Sequence, residues 1–331
     1  MIRATKVATG LALLVALAAP GCNRDTTDRF EYVYRASAGP DARVSPETLE
    51  QTARLLEERA ESTRAQTFDV RVEPPDRIRV SGRADHDHNV PPAIGAPGRV
   101  AFYDWEASVI PKPNAPASRA TETPFPSLYK AALLARGQPS ECVRCTTAGP
   151  SFYVFERTAG KQIAGPEPTA AGAWIEAARH ASSKNAAKVR VPQGTILLEE
   201  PIPHHRPGSY ILRDRPVLTG VAVRNPDVTS DPITGEPAVS FEFSEDGQSA
   251  FQALTRRVAG RSGHFAIALD GIVVSRPRLD FESSAGGLDG RHGAQISGDF
   301  NRREIEHLVW SLEGGPLPLR LSLESEETDS G

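Results

Sequence analysis

The chain has 331 residues, a formal net charge of −4 at pH 7, 28 prolines and an aromatic content of 6%. That balance argues against a nucleic-acid partner, because neutralising phosphates takes a basic face that the chain does not offer. The length allows two domains, with cores that rest on Val, Ile, Leu and Ala more than on aromatic rings.

Arg3 and Lys6 precede an apolar run at residues 7–19. The layout is that of a signal peptide, and the run is shorter than the ~20 apolar residues that span a hydrocarbon core. It ends in Ala19-Pro20-Gly21-Cys22. Residues 1–21 are therefore expected to be removed, with Cys22 as the acceptor of an N-terminal lipid. Ordinary cleavage that leaves Cys22 as a thiol is the alternative. Beyond Cys22 the chain holds only Cys142 and Cys145, and two cysteines three apart in an oxidising compartment favour a mutual disulfide.

A strand is predicted at residues 30–34, where Phe30, Tyr32 and Tyr34 alternate. Ser45-Pro46-Glu47 opens a helix, with Ser45 as cap, Pro46 at the first helical position and Glu47 at the positive end of the dipole. Leu49, Ala53, Leu56 and Ala60 form its apolar face. Strands at 67–72 and 77–81 follow, so that strand, helix, strand, strand makes half of a split βαβ arrangement. A loop at 82–98 leads to a strand at 99–106. Residues 111–126 lack period and read as exposed. Helices are expected at 127–136 and 170–181, and short strands at 152–156, 188–191 and 195–198. Asp270-Gly271 between two apolar runs marks a hairpin over 265–275, because both turn residues must take positive φ. Asn301 and Glu304 have capping-box spacing, with Phe300 and Ile305 as the staple. The helix they open buries Ile305, Leu308, Val309 and Leu312 and ends at Gly314-Gly315. A last strand is expected at 317–323. Residues 325–331 are acidic, without apolar content, and are expected to be disordered.

Leu218-Thr219-Gly220, Asp231, Thr234-Gly235, Pro237 and Val239-Ser240-Phe241-Glu242-Phe243 resemble the large extracytoplasmic domain of SecD, an accessory subunit of the bacterial preprotein translocase. Gly247, Phe251, Thr255 and residues 266–275 continue the resemblance in order, with Pro277, Ala294-Gln295-Ile296-Ser297-Gly298-Asp299-Phe300 and Gly314-Gly315-Pro316-Leu317-Pro318. The helix at 45–63 and the strand at Asp76-Arg77-Ile78-Arg79-Val80 look more weakly like SecD's first half. The Asp-Leu-Arg-Gly-Gly motif of the family is absent near residues 30–39, and residues 107–208 match nothing in it. The resemblance implies an α+β fold: a ferredoxin-like base built from both ends of the chain (22–106 and the return within 209–324), carrying an inserted head subdomain. Residues 107–208 are an insert of unknown packing. SecD's membrane helices, which couple proton flow to export with SecF, have no counterpart in the sequence.

Candidate chemistry is sparse. Cys142-Val143-Arg144-Cys145 has thioredoxin-type spacing, but the strand before and helix after that a reactive thiol needs are not predicted, which favours a local staple over redox catalysis or free thiols. Asp85-His86-Asp87-His88 offers metal-ligand types, against the plainer reading of a solvated loop, and His204-His205 carries no more. No phosphate loop, nucleophile elbow or zinc-binding helix motif is present. The expectation is a non-enzymatic protein without cofactor or metal, exported to the outer face of the cytoplasmic membrane and held there by the lipid. Its expected partners are unfolded exported polypeptide or Sec translocon components; the alternative is an envelope lipoprotein that reuses the module as an interaction scaffold. Ile272, Val273 and Val274 form the candidate polypeptide-binding edge, against the alternative that this arm is plain core.

Labelled palmitate is expected to enter the protein, and Cys22→Ser to abolish both labelling and membrane retention. A mass spectrum showing unmodified Cys22 at the mature N-terminus would overturn the anchor.

Overall fold

The computed structural model describes residues 27–38, 43–61, 63, 65–85, 92–179, 185–202, 205–297, 300–313 and 315–329. Cys22, His86, Asp87, His88 and His204 lie outside them.

The alternation at the start of the chain produces β1 (Thr27–Ser37), whose Phe30, Tyr32, Tyr34 and Ala36 are buried on one face. Helix α1 (Pro46–Glu61) lays Leu49, Ala53, Leu56 and Ala60 against that face. Its cap is the expected one, with the Thr48 amide donating to Ser45 Oγ at 3.1 Å. Strands β2 (Thr67–Glu73) and β3 (Arg77–Asp85) form a hairpin, and β16 (Arg320–Asp329) returns from the far end of the chain. The order is β16-β1-β3-β2 with all neighbours antiparallel, so that β3 lies between the two strands joined by α1, the split βαβ pattern.

The acidic end departs from expectation. Residues 325–329 continue β16, with Glu326 opposite Tyr32 and Thr328 opposite Phe30. Two forces outweigh the absence of apolar side chains. Strand β1 extends to Thr27 and offers a row of main-chain donors and acceptors that an exposed strand can satisfy. Glu324 anchors the register by ion pairs to Arg35 at 2.5 Å and Arg77 at 2.7 Å.

A six-stranded sheet has the order β10-β4-β13-β14-β8-β9. Its members are β4 (Val100–Asp104), β8 (Thr195–Glu200), β9 (Gly208–Arg213), β10 (Leu218–Thr219), β13 (Phe265–Leu269) and β14 (Ile272–Ser275). Every residue of β4 and β13 is buried, because both faces are covered. Val100, Phe102, Phe265, Ile267 and Leu269 face a core shared with helices α5 (Glu245–Ala259) and α7 (Arg302–Glu313) and with a three-stranded sheet. That sheet is β11 (Val223–Ser230), β12 (Pro237–Phe243) and β15 (Ala294–Ser297), in the order β11-β12-β15. Phe102, Phe241, Phe243 and Phe251 meet there edge-to-face and stacked. Ala101, Tyr103, Ala266 and Ala268 face the opposite way.

Helix α7 is opened by the reciprocal capping box: the Asn301 amide donates to Glu304 Oε2 at 2.9 Å and the Glu304 amide to Asn301 Oδ1 at 3.1 Å. Although it precedes β16, as the second helix of a βαββαβ unit would, its buried Ile305, Leu308, Val309 and Leu312 belong to the core of β11 and β12. Among the described residues, the core under the four-stranded sheet is therefore closed by α1 and by a 3-10 turn at Pro92–Gly95.

The expected insert at 107–208 divides: its end joins the six-stranded sheet as β8, and residues 128–191 build a third layer. Strands β5 (Ser151–Glu156), β6 (Gln162–Glu167) and β7 (Ala186–Val191) pair in the order β6-β5-β7. Helix α3 (Leu128–Ala135) covers the face of Phe155 and Val191, and α4 (Ala170–Arg179) the face of Val154 and Ala164. The nominally exposed 111–126 segment ends in a buried Phe125, whose amide donates to Ser209 O at 2.8 Å along the outer side of β9. Short helices α2 (Trp105–Ser108) and α6 (Phe281–Ser284) complete the elements.

The predicted hairpin is present, with Asp270 at φ 49° and Gly271 at φ 95°. Its second arm is not an edge. Strand β14 lies between β13 and β8, Ile272 is opposite Glu199 in a short parallel pairing, and Val273 is 5% exposed. The cause is β8 and β9, which extend the sheet beyond β14 and pair its outer side, burying Val273 while Ile272 stays 41% exposed. Val273→Lys is expected to destabilise the protein by about 3 kcal/mol, since a buried unpaired ammonium replaces packed methyl groups. A urea midpoint equal to that of the native protein would show the position to be open.

Candidate functional site: a cavity between the sheets and an open strand

A cavity of about 280 Å³ lies where the inserted layer, the six-stranded sheet and the start of β16 meet. Ala101 and Tyr103 of β4, Ala268 of β13 and Leu197 of β8 form its floor, Tyr153 and Glu167 come from the inserted layer, and Arg99 and Arg320 bring cations. Each side chain is placed by a local device. Arg99 precedes β4, where its amide and that of Gly98 donate to the Asp270 carboxylate at 2.9 and 2.8 Å. The hairpin turn is thereby tied to the start of the neighbouring strand.

The roof is residues 146–151. It is held by Asp214, fully buried, whose carboxylate accepts from the Thr146 amide at 2.8 Å, the Thr147 amide at 3.2 Å and the Tyr103 hydroxyl at 3.1 Å. Burial beside Asp214 pushes the Tyr103 phenol well above its ordinary pKa. Cys142 and Cys145 form a disulfide just upstream, with Cα atoms 5.5 Å apart, and Val143 between them is exposed. Strand β5 follows the roof and no helix starts at the cysteines, which leaves the first sulfur without the helix N-terminus that would activate a thiol. Among the described residues, no three His, Cys, Asp or Glu side chains cluster as a metal site would require.

The charged wall has an unusual protonation state. Glu167 is 4% exposed at its side chain and pairs with Arg320 at 2.6 Å. Burial, followed by a hydrogen bond with Glu176, pushes its carboxyl up to about 8 against the pull of Arg320. Sequence reading missed Asp214, Glu167, Arg99 and Arg320. The only signal available was that each is a charged residue at the end of a predicted or observed strand.

Away from the cavity, the sheet β11-β12-β15 presents a second feature. Strand β11 is its outer member, and among the described residues no strand pairs with its far side. Val228 on it is 45% exposed, and Ile233 in the turn that follows is 92% exposed. That turn is set by Asp231, whose carboxylate accepts the amides of Ile233 at 2.8 Å and Thr234 at 3.0 Å.

Residues 196–319, which hold this open strand and much of the cavity floor, match the family described as SecDF, P1 head subdomain. The module is SecD-like. Over 112 residues it is 38% identical to the protein translocase subunit SecD of Acidaminococcus fermentans, a stretch that covers 34% of this chain and 25% of that protein. Over 141 residues it is 34% identical to SecD of Endomicrobium trichonymphae, covering 43% of this chain and 27% of that one. The chain thus spans about a quarter of the length of the curated relatives it matches. Among solved structures, SecDF in the super-membrane-facing form aligns with 92% of this chain and 30% of its own, at 16% identity and a TM-score of 0.47. A second, described as a membrane component SecDF that enhances protein export, aligns with 89% of this chain and 98% of its own, at 16% identity and a TM-score of 0.44. The SecD-like match accounts for the order of motifs from Leu218 to Pro318, whereas the cavity's Tyr153 and Glu167 lie outside it.

In the unfolded chain Glu167 releases its proton near pH 4.3, while the folded chain holds it to about 8. The folded state therefore binds more protons across that window, and its contribution to stability is full below the lower value and lost as pH rises through the upper one. Relative to Glu167→Gln, the native protein is expected to lose up to about 1.4 kcal/mol per pH unit inside the window. Denaturation midpoints of both proteins between pH 5 and 8 check this; parallel curves would refute it.

Proposed function

We propose that the protein is a lipid-anchored, extracytoplasmic SecD-like protein that contacts exported polypeptides or the Sec translocase without proton coupling. The family match supports the export context, since the relatives it aligns with are translocase subunits. No helix among the described residues is long and apolar enough to cross a membrane. Attachment through Cys22 supplies the membrane tether in this reading.

The observation that carries the contact role is the open strand β11. A protein that handles many exported chains cannot depend on one side-chain sequence. Main-chain hydrogen bonds along a sheet edge, with a few apolar contacts, bind extended chain without that restriction. Strand β11 provides the edge, and Val228 and Ile233 provide exposed apolar groups along it. This role passes to β11 from Ile272-Val273-Val274, whose strand has β13 on one side and β8 on the other.

A photo-crosslinking side chain placed at Val228 is expected to capture an unfolded secretory polypeptide, and one placed at the exposed Ile175 of α4 is not. Val228→Lys should reduce capture several-fold with the melting temperature unchanged, because an edge lysine discourages strand addition while an exposed site tolerates it. Equal capture at both positions, or capture indifferent to Val228→Lys, would sink the edge. Capture of one folded envelope protein instead would favour the scaffold reading.

A further inference from the structure

Arg99 lines the cavity, and among the described residues no hydrogen bond or ion pair holds its guanidinium. Arg99 is half-buried, so its charge is partly withdrawn from water. Asp270 and Asp214 attract it through space without pairing with it. Both Asp270 oxygens accept main-chain amides, those of Gly98 and Arg99. Asp214 is engaged by Tyr103, Thr146 and Thr147. Glu167 faces Arg320. Arg320 is close enough to Arg99 for the two cations to repel, which adds to burial in lowering the Arg99 pKa. The Tyr153 hydroxyl, from the inserted layer, feels both cations and likewise has no protein partner among the described residues. The lining is mixed, with Ala101, Ala268, Leu197 and Pro150 giving it apolar patches beside Thr146, Thr147 and Ser151.

We propose that this cavity is a carboxylate-binding site in which the Arg99 guanidinium and the Tyr153 hydroxyl hold the carboxylate, while the apolar patches take a residue-sized group attached to it. The C-terminal residue of a polypeptide has that chemistry, and so does an acidic side chain within one. A planar guanidinium binds carboxylate through two parallel hydrogen bonds, and the neighbouring phenol adds a third donor. Inorganic phosphate suits the cations, but it cannot use the apolar patches, and its second charge would meet Asp270. Only the identity of the carboxylate's bearer rests on the polypeptide-contact reading; the site itself does not.

The test is titration of the full mature chain, followed by calorimetry and by amide chemical shifts, with N-acetyl-leucine, N-acetyl-leucinamide and inorganic phosphate. N-acetyl-leucine is expected to bind at least about ten-fold more tightly than either of the others, the gain typical of a charge-assisted hydrogen bond. Arg99→Gln should weaken it by a similar factor, and Arg119→Gln, on the exposed surface away from both the cavity and β11, should not change it. Should Arg99→Gln fail to fold, Tyr153→Phe keeps the ring and is expected to cost several-fold alone. A heptapeptide with a free C-terminus and the amidated peptide with an internal glutamate then separate the two sources of carboxylate. Equal binding of acid and amide, tighter binding of phosphate, no saturable binding, or affinity unchanged in Arg99→Gln or Tyr153→Phe would overturn the site. If N-acetyl-leucine binds but Val228 captures no polypeptide, the site stands and the contact reading falls; the reverse pattern leaves the contact reading and removes the site.

Discussion

One buried cation joins the separate cores of this protein. Arg59 on α1 is 1% exposed, and its guanidinium donates to the carbonyls of Ile94 at 2.9 Å, Ala96 at 2.6 Å, Pro97 at 3.3 Å and Gly315 at 2.6 Å. Burial lowers its pKa to about 10, which leaves it charged at neutral pH. Those four carbonyls belong to the turn that leads into β4 and to the segment after α7. The helix that covers the four-stranded sheet therefore grips both the entry to the six-stranded sheet and the chain's return toward β16. Gly98 takes φ +71° beside the guanidinium, and any Cβ there would collide with it. Were Arg59 shortened, several main-chain acceptors would be left buried without donors, which is why the arrangement depends on this residue more than on any single apolar contact.

The legible parts of the fold were those in which local chemistry and tertiary packing agree. The Ser45 cap, the apolar face of α1, the Asp270-Gly271 turn and the Asn301 and Glu304 capping box all sit as the spacing predicts, because each is decided by neighbours within a few residues. What failed depended on strands from elsewhere in the chain. An acidic segment reads as disordered until β1 is seen to offer it an edge, and Ile272-Val273-Val274 reads as an edge until β8 is seen beside it. The six residues of β9 are nearly all buried, yet they follow a Pro- and His-rich stretch that gave no strand signal.

The candidate site was less legible than the fold. Its charged members are Arg99, Glu167, Asp270 and Arg320, drawn from segments widely separated in sequence: Arg99 precedes β4, Glu167 ends β6, Asp270 sits in the hairpin turn and Arg320 begins β16. Residues outside the family match supply Tyr153, Glu167 and the roof. Of the floor, Leu197 and Ala268 fall within the match, whereas Ala101 and Tyr103 precede it. The disulfide of Cys142 and Cys145 also precedes the match, and together with Asp214 it fixes where the roof begins.

The six-stranded sheet is not uniformly stitched. Strands β10, β4, β13 and β14 form one antiparallel block and β8 and β9 another, and between β14 and β8 the register holds a single residue couple, Ile272 with Glu199. Very few main-chain bonds hold that couple, among them the one from the Glu199 amide to the Gly271 carbonyl at 2.9 Å, next to the cavity floor. Adjacent strands elsewhere in the sheet must break several cooperative bonds to separate, whereas here very few are at stake. The seam between the two blocks is therefore the place where the six-stranded sheet has the fewest main-chain bonds to break, and side-chain packing across it, Leu198 with Val273, does more of the joining than the ladder does.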